Sequence, residues 1–521
     1  MSEPVVGVYR AAKASPDRLA LVDPEGREIS AGELIADANR VSHGLRSLGL
    51  VPGDCIATVL PNRAEMISVY LGAMQIGLYI TPINWHLAGP EIAYIVADSE
   101  AKVVVGDDRL ADVLEMAAKE VGDAVAWFAV GGAIPGFRPF TDLIDGQPET
   151  DPENRTAGEP MQYTSGTSGR PKGVRRALSG LDPDDHAALT TGFLGMFGVG
   201  PYDDHVHICG SPLYHTAVLR FAASALTLGH TLVLMDKWTP EEMLRLIEVY
   251  RATYSHMVPT QFQRLLALPD DVKARYDVSS LRNMIHAAAP CPVDTKRRML
   301  EWWGPVIYEY YAATEGGGTL ATPEEWLAKP GTVGKAWMIS EVRVVGDDGA
   351  DCAAGEVGTV YMKMHTGSFE YFKDEEKTKG SRHPADDGFF TVGDIGYLDE
   401  DRFLFLRDRK SDMIISGGVN IYPAEIENEL LSFPKIADAA VFGIPHPDWG
   451  EEVKAVVEAA PDAEPGGALT NEILTFLKDR VAAYKIPKSI DFIDEMPRDP
   501  NGKLYKRKLR DPYWEGLERQ I

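Results

Sequence analysis

Apolar residues recur at helical spacing across positions 31–48 and again across 64–75, which predicts two amphipathic helices. Between and after them lie short apolar runs, 55–60 (closed by Pro61-Asn62) and 102–105, which read as buried strands. The alternation resumes further on, with strands predicted at 205–210 and 231–235 and a helix at 240–250. Repeated exchange of the two periods predicts an α/β fold of layered subdomains with largely parallel sheets.

From Gly331 the pattern changes. Short alternating runs at 342–345 and 358–363, with a Gly-Asp-Asp-Gly turn at 346–349, predict a small antiparallel, barrel-like β-subdomain over 331–408. The last ~110 residues have a core pattern of their own, large enough for a compact α+β domain. They follow a predicted strand at 402–406 and a charged, extended junction at 408–411. A strand at 413–415, a helix at 423–433, strands at 439–442 and 453–457 and a helix at 471–484 follow. The expected organisation is an N-terminal domain over 1–408, a hinge at 409–411 and a mobile C-terminal domain over 412–521. No internal repeat or long low-complexity segment interrupts it.

Composition narrows the function. The 521 residues exceed one compact core, and 45% hydrophobic with 25% charged is ordinary for a globular protein. No apolar run is long enough to span a bilayer, and Met-Ser-Glu-Pro lacks the features of a secretory leader, so a cytoplasmic location is expected. The four cysteines, Cys55, Cys209, Cys291 and Cys352, are far apart and read as buried small hydrophobes. A net charge of −26 argues against nucleic acid and anionic membranes as partners. A polyanionic ligand would need a local basic island, and two exist, at 170–176 and 503–510.

The first island follows the chain's most informative stretch, residues 163–174, Tyr-Thr-Ser-Gly-Thr-Ser-Gly-Arg-Pro-Lys-Gly-Val. Hydroxyls, glycines and a lysine in one short loop suit a phosphate group, because exposed N–H and O–H groups can surround its oxygens. A Walker A loop is excluded: Pro171 stands where its second glycine would be, and Gly173 where its metal-binding hydroxyl would be. The loop resembles the phosphate loop of the adenylate-forming superfamily, which comprises acyl-CoA synthetases, nonribosomal-peptide adenylation domains and luciferases. The resemblance assigns Thr164, Ser165, Gly166, Thr167, Ser168, Gly169 and Lys172 to ATP, with Thr164 beside Mg²⁺.

Four further segments extend the resemblance over nearly the whole chain. Residues 309–318, Glu-Tyr-Tyr-Ala-Ala-Thr-Glu-Gly-Gly-Gly, are similar to the family's Tyr-Gly-x-Thr-Glu motif. By position Tyr311 stacks on adenine beside Tyr310, Glu309 accepts from its amino group, Thr314 binds the α-phosphate and Glu315 holds Mg²⁺. An aromatic face suits a purine, and a hard carboxylate oxygen suits magnesium. Ala312 replaces the usual glycine. Residues 390–396 resemble Tyr-Arg-Thr-Gly-Asp, giving Asp394 to the ribose hydroxyls. Residues 408–427 resemble the hinge region: Arg409 contacts ribose, Gly417 and Gly418 leave a passage for the arm of CoA, and Ser411 stands where most relatives carry Asp or Lys. Residues 497–506 resemble the Pro-x-x-x-x-Gly-Lys segment and make Lys503 the lysine of acyl-adenylate formation, where a cation must offset repulsion between carboxylate and α-phosphate.

The same resemblance outlines an acyl pocket. His215 is the expected gate, Met257 and Gln261 wall residues, and His286 with Ala287, Ala288, Ala289 and Pro290 the segment between adenine and acyl group. Small side chains at 287–289 and at Gly316, Gly317 and Gly318 predict room for a long or bulky acid. The loop 446–452, with Trp449, resembles the contact to CoA adenine. The implied activity is an ATP- and Mg²⁺-dependent acyl-CoA ligase acting on a medium- or long-chain fatty acid or a bulky alicyclic acid such as a sterol side-chain acid. Transfer to a carrier protein, a luciferase-like oxygenase and a non-catalytic nucleotide-binding homologue are the alternatives. A homodimer is left open.

Overall fold

The computed structural model describes residues 5–164, 171–190, 192–201, 204–365, 368–409, 411–498 and 502–515. They form two compact units: one takes in the chain up to 257 with 268–285 and the segment around 370–380, the other 258–267, 286–365 and the chain from 381 onward.

In the first unit, helix Ala31–Ser47 opens with a capping box in which Ser30 Oγ accepts from Glu33 N at 3.2 Å and Glu33 Oε2 accepts from Ser30 N at 2.8 Å. Its apolar stripe (Leu34, Ala38, Val41, Leu45) shares one core with helix Ala64–Met74. The two helices approach closely at Gly72, where a Cβ would lie 2.7 Å from Val41 Cγ1. Strand Cys55–Val59 is buried along its length and pairs in parallel with Tyr79–Pro82 and Ala101–Asp107. Ala126–Val130, Arg138–Pro139 and Glu159–Pro160 complete a six-stranded parallel sheet. A further parallel set runs Tyr254–Met257, Val206–Cys209, Thr231–Leu234 and Leu19–Val22, with Glu28–Ser30 antiparallel beside the last. The α/β layering expected from the alternating periods is present.

In the second unit, strands Ile307–Ala313 and Gly316–Ala321 make an antiparallel hairpin. Ser340–Val345, Gly358–Met364, Asp394–Leu398, Leu404–Arg409, Asp386–Phe390 and Arg382–His383 form the antiparallel sheet predicted after Gly331. Beyond it, hairpin Ile414–Ser416/Val419–Ile421, strands Ile436–His446, Gly450–Ala459 and Ser489–Ile493, and helices Pro423–Leu431 and Gly467–Lys478 enclose one core.

Several boundaries differ from expectation. The strand placed at 402–406 is Leu404–Arg409, because Arg402 (φ 68°) belongs to a turn closed by Asp399. The helix placed at 471–484 is Gly467–Lys478: its stripe of Leu469, Ile473 and Leu477 runs out, and residues 483–485 form a separate 3₁₀ turn. The strands placed at 439–442 and 453–457 extend to 11 and 10 residues, their polar ends paired across one long hairpin. No helix among the described residues is long and apolar enough to cross a membrane. Cys55 and Cys209 are buried, and burial pushes their thiols up to about 11 and about 12.

Candidate active site

The hairpin Ile307–Ala313/Gly316–Ala321 carries the central motif of the second unit. Side chains two apart share a face of a strand, so Glu309 and Tyr311 lie on one side and Tyr310, which is buried, on the other. Thr314 and Glu315 form the turn itself and are half-buried. Gly316 (φ 126°) and Gly317 (φ 71°) take backbone conformations that side chains rarely adopt, and the register slips between Ala312 and Ala313.

The glycines therefore serve the hairpin and do not open a volume, which corrects one expectation. A Cβ at Gly316 would lie 2.8 Å from Met364 Sδ, at Gly317 2.9 Å from Met362 Cβ, and at Gly318 2.8 Å from the Trp337 ring. Their small size is consumed by packing against neighbouring strands.

Tyr311, Asp394 and Arg409 meet. The Tyr311 hydroxyl donates to Asp394 Oδ2 at 2.6 Å, and Arg409 Nε stands 3.3 Å from Asp394 Oδ1. Asp394 and Arg409 are directly paired in register between adjacent strands. Burial and then the neighbouring carboxylate push the Tyr311 phenol well up, so it stays a donor. Immediately after Arg409 the chain turns, with the N–H groups of Asp412 and Met413 donating to the Arg409 carbonyl. Ser411 lies in this turn, and its carbonyl accepts from Arg510 Nη1 at 3.5 Å.

Glu309 is held inside the unit by a lysine. Lys296 Nζ lies 2.7 Å from Glu309 Oε2, and His286 Nε2 lies 3.4 Å from the same oxygen. Lys296 and His286 are fully buried. Burial raises the cost of ionising Glu309, but Lys296 and His286 outweigh it and hold the carboxyl down at about 2. Burial keeps His286 below its usual value. After His286, Ala287 is buried, Ala288 is exposed with a left-handed φ of 73°, and Ala289 and Pro290 complete the turn. Gln261, expected on the pocket wall, uses Oε1 to accept from Val258 N at 3.0 Å and so caps its own helix.

Gly417 (φ 58°) and Gly418 (φ 78°) are the two-residue turn between Ile414–Ser416 and Val419–Ile421, with open space where Cβ atoms would stand. Gly417 N donates to the Trp449 carbonyl at 2.8 Å. Trp449, 45% exposed, stacks on His446 with ring centroids 4.6 Å apart. Lys503 is half-buried on a segment fastened from behind: Arg498 donates to both oxygens of Asp438 at 2.5 and 2.7 Å and to the Gly502 carbonyl at 2.6 Å. On the other side, Lys506 Nζ lies 2.8 Å from Glu427 Oε1.

In the first unit, Thr164 and Lys172 face each other in register at the two ends of the phosphate-loop segment. Ser165, Gly166, Thr167, Ser168 and Gly169 lie outside the described residues. The flanks are strapped to helix Gly89–Asp98: Tyr163 donates to Asp98 Oδ2 at 2.8 Å, and Tyr94 donates to the Pro171 carbonyl at 3.1 Å. Lys172 Nζ lies 3.7 Å from Asp374 Oδ2. His215 is the N-cap of helix Thr216–Thr227 and half-buried, whereas Met257 is buried at the end of its strand.

Lys296 and Arg498 were not singled out from the sequence. Lys296 had a signal: it sits with Met299, Leu300 and Trp303 on the i, i+3, i+4, i+7 stripe of helix Val293–Trp303, where an apolar residue is the rule. Arg498 had none, since its partner Asp438 lies 60 residues away.

The AMP-binding enzyme family model matches residues 8–372 and that of the AMP-binding enzyme C-terminal domain matches 425–503, so the chain belongs to the AMP-binding enzyme family. It is 32% identical over 511 residues to the long-chain-fatty-acid–CoA ligase FadD13 of Mycobacterium tuberculosis, covering 96% of this chain and 97% of that protein. It is 30% identical to the fatty acid–[acyl-carrier-protein] ligase ScoC of Streptomyces coeruleorubidus, over 95% and 94% of the two chains. The o-succinylbenzoate CoA synthetase MenE of Bacillus subtilis, solved with its acyl-adenylate, superposes with a TM-score of 0.80 at 27% identity over 97% of each chain. The chain is an AMP-forming acid–thiol ligase that uses ATP and CoA.

Proposed function

We propose that this ligase activates a medium- or long-chain fatty acid, or a bulky alicyclic acid of the sterol side-chain kind. The carboxylate attacks the α-phosphorus of ATP, releasing pyrophosphate; the CoA thiolate then attacks the acyl carbon and AMP leaves. The Tyr311–Asp394–Arg409 arrangement carries the reading: a phenol face for the base, and a buried carboxylate held for the ribose hydroxyls. The fatty-acid side of the proposal is supported by likeness to FadD13 over the whole chain.

Each residue has a distinct task in this reading. The Thr314 hydroxyl donates to the α-phosphate. Lys503 places an ammonium between the two approaching anions, offsetting the charge that gathers in the transition state. The turn at 409–411 lets the segment from 412 onward rotate, withdrawing Lys503 before the thiol arrives. Gly417 and Gly418, lacking side chains, line the way for the CoA arm, and Trp449 offers a face to its adenine. His215 gates the acyl group beside Met257. Glu315 would hold Mg²⁺; its carboxylate offers the hard oxygens that ion prefers, and magnesium supplies charge neutralisation at the phosphates when bound.

A carrier protein in place of CoA is the second reading, favoured by the likeness to ScoC. Pyrophosphate release from ATP and Mg²⁺ over a panel of acids, with and without CoA, separates the two. Turnover that requires CoA and is highest with long or alicyclic acids is expected. A stoichiometric burst that stalls with CoA present would favour the carrier protein, and highest turnover on small acids would overturn the substrate class.

A further inference from the structure

The Lys296–Glu309 pair has no evident structural purpose. Removing two charges from water costs more than their attraction commonly returns, and apolar residues of the same shape often hold a core as well or better. Here the ammonium is fully buried, 2.7 Å from the carboxylate and 4.8 Å from the Trp326 ring centroid. A charge kept at such a place is explained if the carboxylate must stay ionised for a ligand.

In the acyl-adenylate reading that ligand is the nucleotide base. Glu309 is one pleat repeat, about 7 Å along the strand, from Tyr311 on the same face. A purine lying on the Tyr311 ring brings its edge toward Glu309. Lys296 and His286 both approach Oε2, and the Glu309 side chain keeps 8% exposure. The titratable groups around the carboxylate are Lys296 from helix Val293–Trp303, His286 from strand Asn283–His286, and Cys291 from the turn between them.

We infer that Lys296 is a positioning residue that keeps Glu309 an acceptor-only group at the edge of the nucleotide base, so that the enzyme selects a 6-amino purine over a 6-oxo purine. This rests on the acyl-adenylate reading above. An ionised carboxylate accepts from an exocyclic amino group and repels a carbonyl oxygen at the same place; a protonated carboxyl or an amide can instead donate to that oxygen. Sites that match a polar group of the ligand reject the mismatched analogue strongly.

ATP and ITP are the probes, their binding measured by calorimetry and their use by acid-dependent pyrophosphate exchange. The wild-type enzyme is expected to favour ATP by at least ~100-fold, unchanged between pH 6 and 9. Glu309→Gln should bring the ratio within ~10-fold. Lys296→Met strands a buried carboxyl that takes up a proton, so its ATP/ITP ratio should be low at pH 6 and climb as pH rises. Lys296→Met/Glu309→Gln removes both charges and should behave as Glu309→Gln at every pH, even if the single Lys296 variant folds poorly. A wild-type ratio near one, an unchanged ratio in Glu309→Gln, or a pH-independent ratio in folded Lys296→Met would overturn the inference. Selective ATP binding with no exchange on any acid would instead count against the ligase reading and leave the base selectivity standing.

Discussion

Tyr311 and Asp394, 83 positions apart in sequence, share a 2.6 Å hydrogen bond in which the phenol donates to the carboxylate, and Arg409 approaches the other carboxylate oxygen at 3.3 Å. The tyrosine's orientation is thus set by the group proposed to hold the ribose. Removing the hydroxyl should loosen both.

Tyr311→Phe is expected to raise KM for ATP by roughly 3–10-fold with little change in kcat, about the net worth of one ordinary hydrogen bond. Asp394→Ala, which removes the ribose acceptor as well, should raise KM by at least ~10-fold. Steady-state kinetics in ATP check both, and a larger effect of Tyr311→Phe than of Asp394→Ala would contradict the order of roles.

Lys503→Ala should slow acyl-adenylate formation by on the order of 10²–10³-fold, the usual loss for one charge-stabilising donor. Thioester formation from synthetic acyl-AMP and CoA should be largely spared. Single-turnover measurements of the two half-reactions decide it; equal losses in both would remove the role given to Lys503.

Gly318→Ala places a methyl against the Trp337 ring and the Tyr311 carbonyl. Overpacking of this kind costs about 1–3 kcal/mol. A lowered Tm together with weakened ATP binding is the expected outcome, because the displaced strand is the one that carries Tyr311. Unchanged Tm with a smaller accepted acid would restore the pocket role the structure withdraws.

Lys296→Met alone leaves a buried carboxyl without its cation, which must stay ionised unpaired or take up a proton, and should destabilise the fold by about 3–5 kcal/mol, while Lys296→Met/Glu309→Gln should recover most of that loss. With its folded-state value near 2, below the ordinary carboxylate value, Glu309 contributes stability that is present above about pH 4.3 and is lost as pH falls toward 2. Denaturant unfolding across that range should show a shallower decline in the double variant.

His207 is fully buried, stacks on Tyr254 with ring centroids 4.6 Å apart, and burial pulls its pKa down to about 3. The unfolded chain binds a proton near pH 6.5 that the folded chain refuses until about 3, so stability present above 6.5 is lost as pH falls through that window. The loss reaches roughly 4–5 kcal/mol at its end. His207→Phe should flatten the dependence by one proton between pH 6.5 and 4, measured by urea unfolding; an unchanged slope would place His207 elsewhere.

Local signals in the sequence were sufficient for much of the fold. Helix 240–250 was placed residue for residue, and the buried strand at 55–60 to within one, because cap, period and turn residues agree there. What failed was non-local. The strand at 439–442 is 11 residues long because partners on the facing strand cover its polar ends, and no neighbouring residue announces that. The glycines at 316–318 look like spare room in a one-dimensional string; only Met362, Met364 and Trp337, brought in by other strands, show the room to be filled. The Tyr311–Asp394–Arg409 meeting was legible only as three separate motifs, and the lysine behind Glu309 was hidden in a helix that otherwise reads as an ordinary amphipathic one.

Arg409 touches Asp394 with its side chain and, through its carbonyl, anchors the turn that follows. Any rotation beginning there that strains the contact with Asp394 changes the affinity for whatever Asp394 holds. Thermodynamic reciprocity then requires the bound nucleotide to bias the rotation by the same free energy. Turnover would thus be timed by the state of the nucleotide itself, ATP, acyl-AMP or AMP, with no separate signal needed to tell the enzyme which half of its reaction comes next.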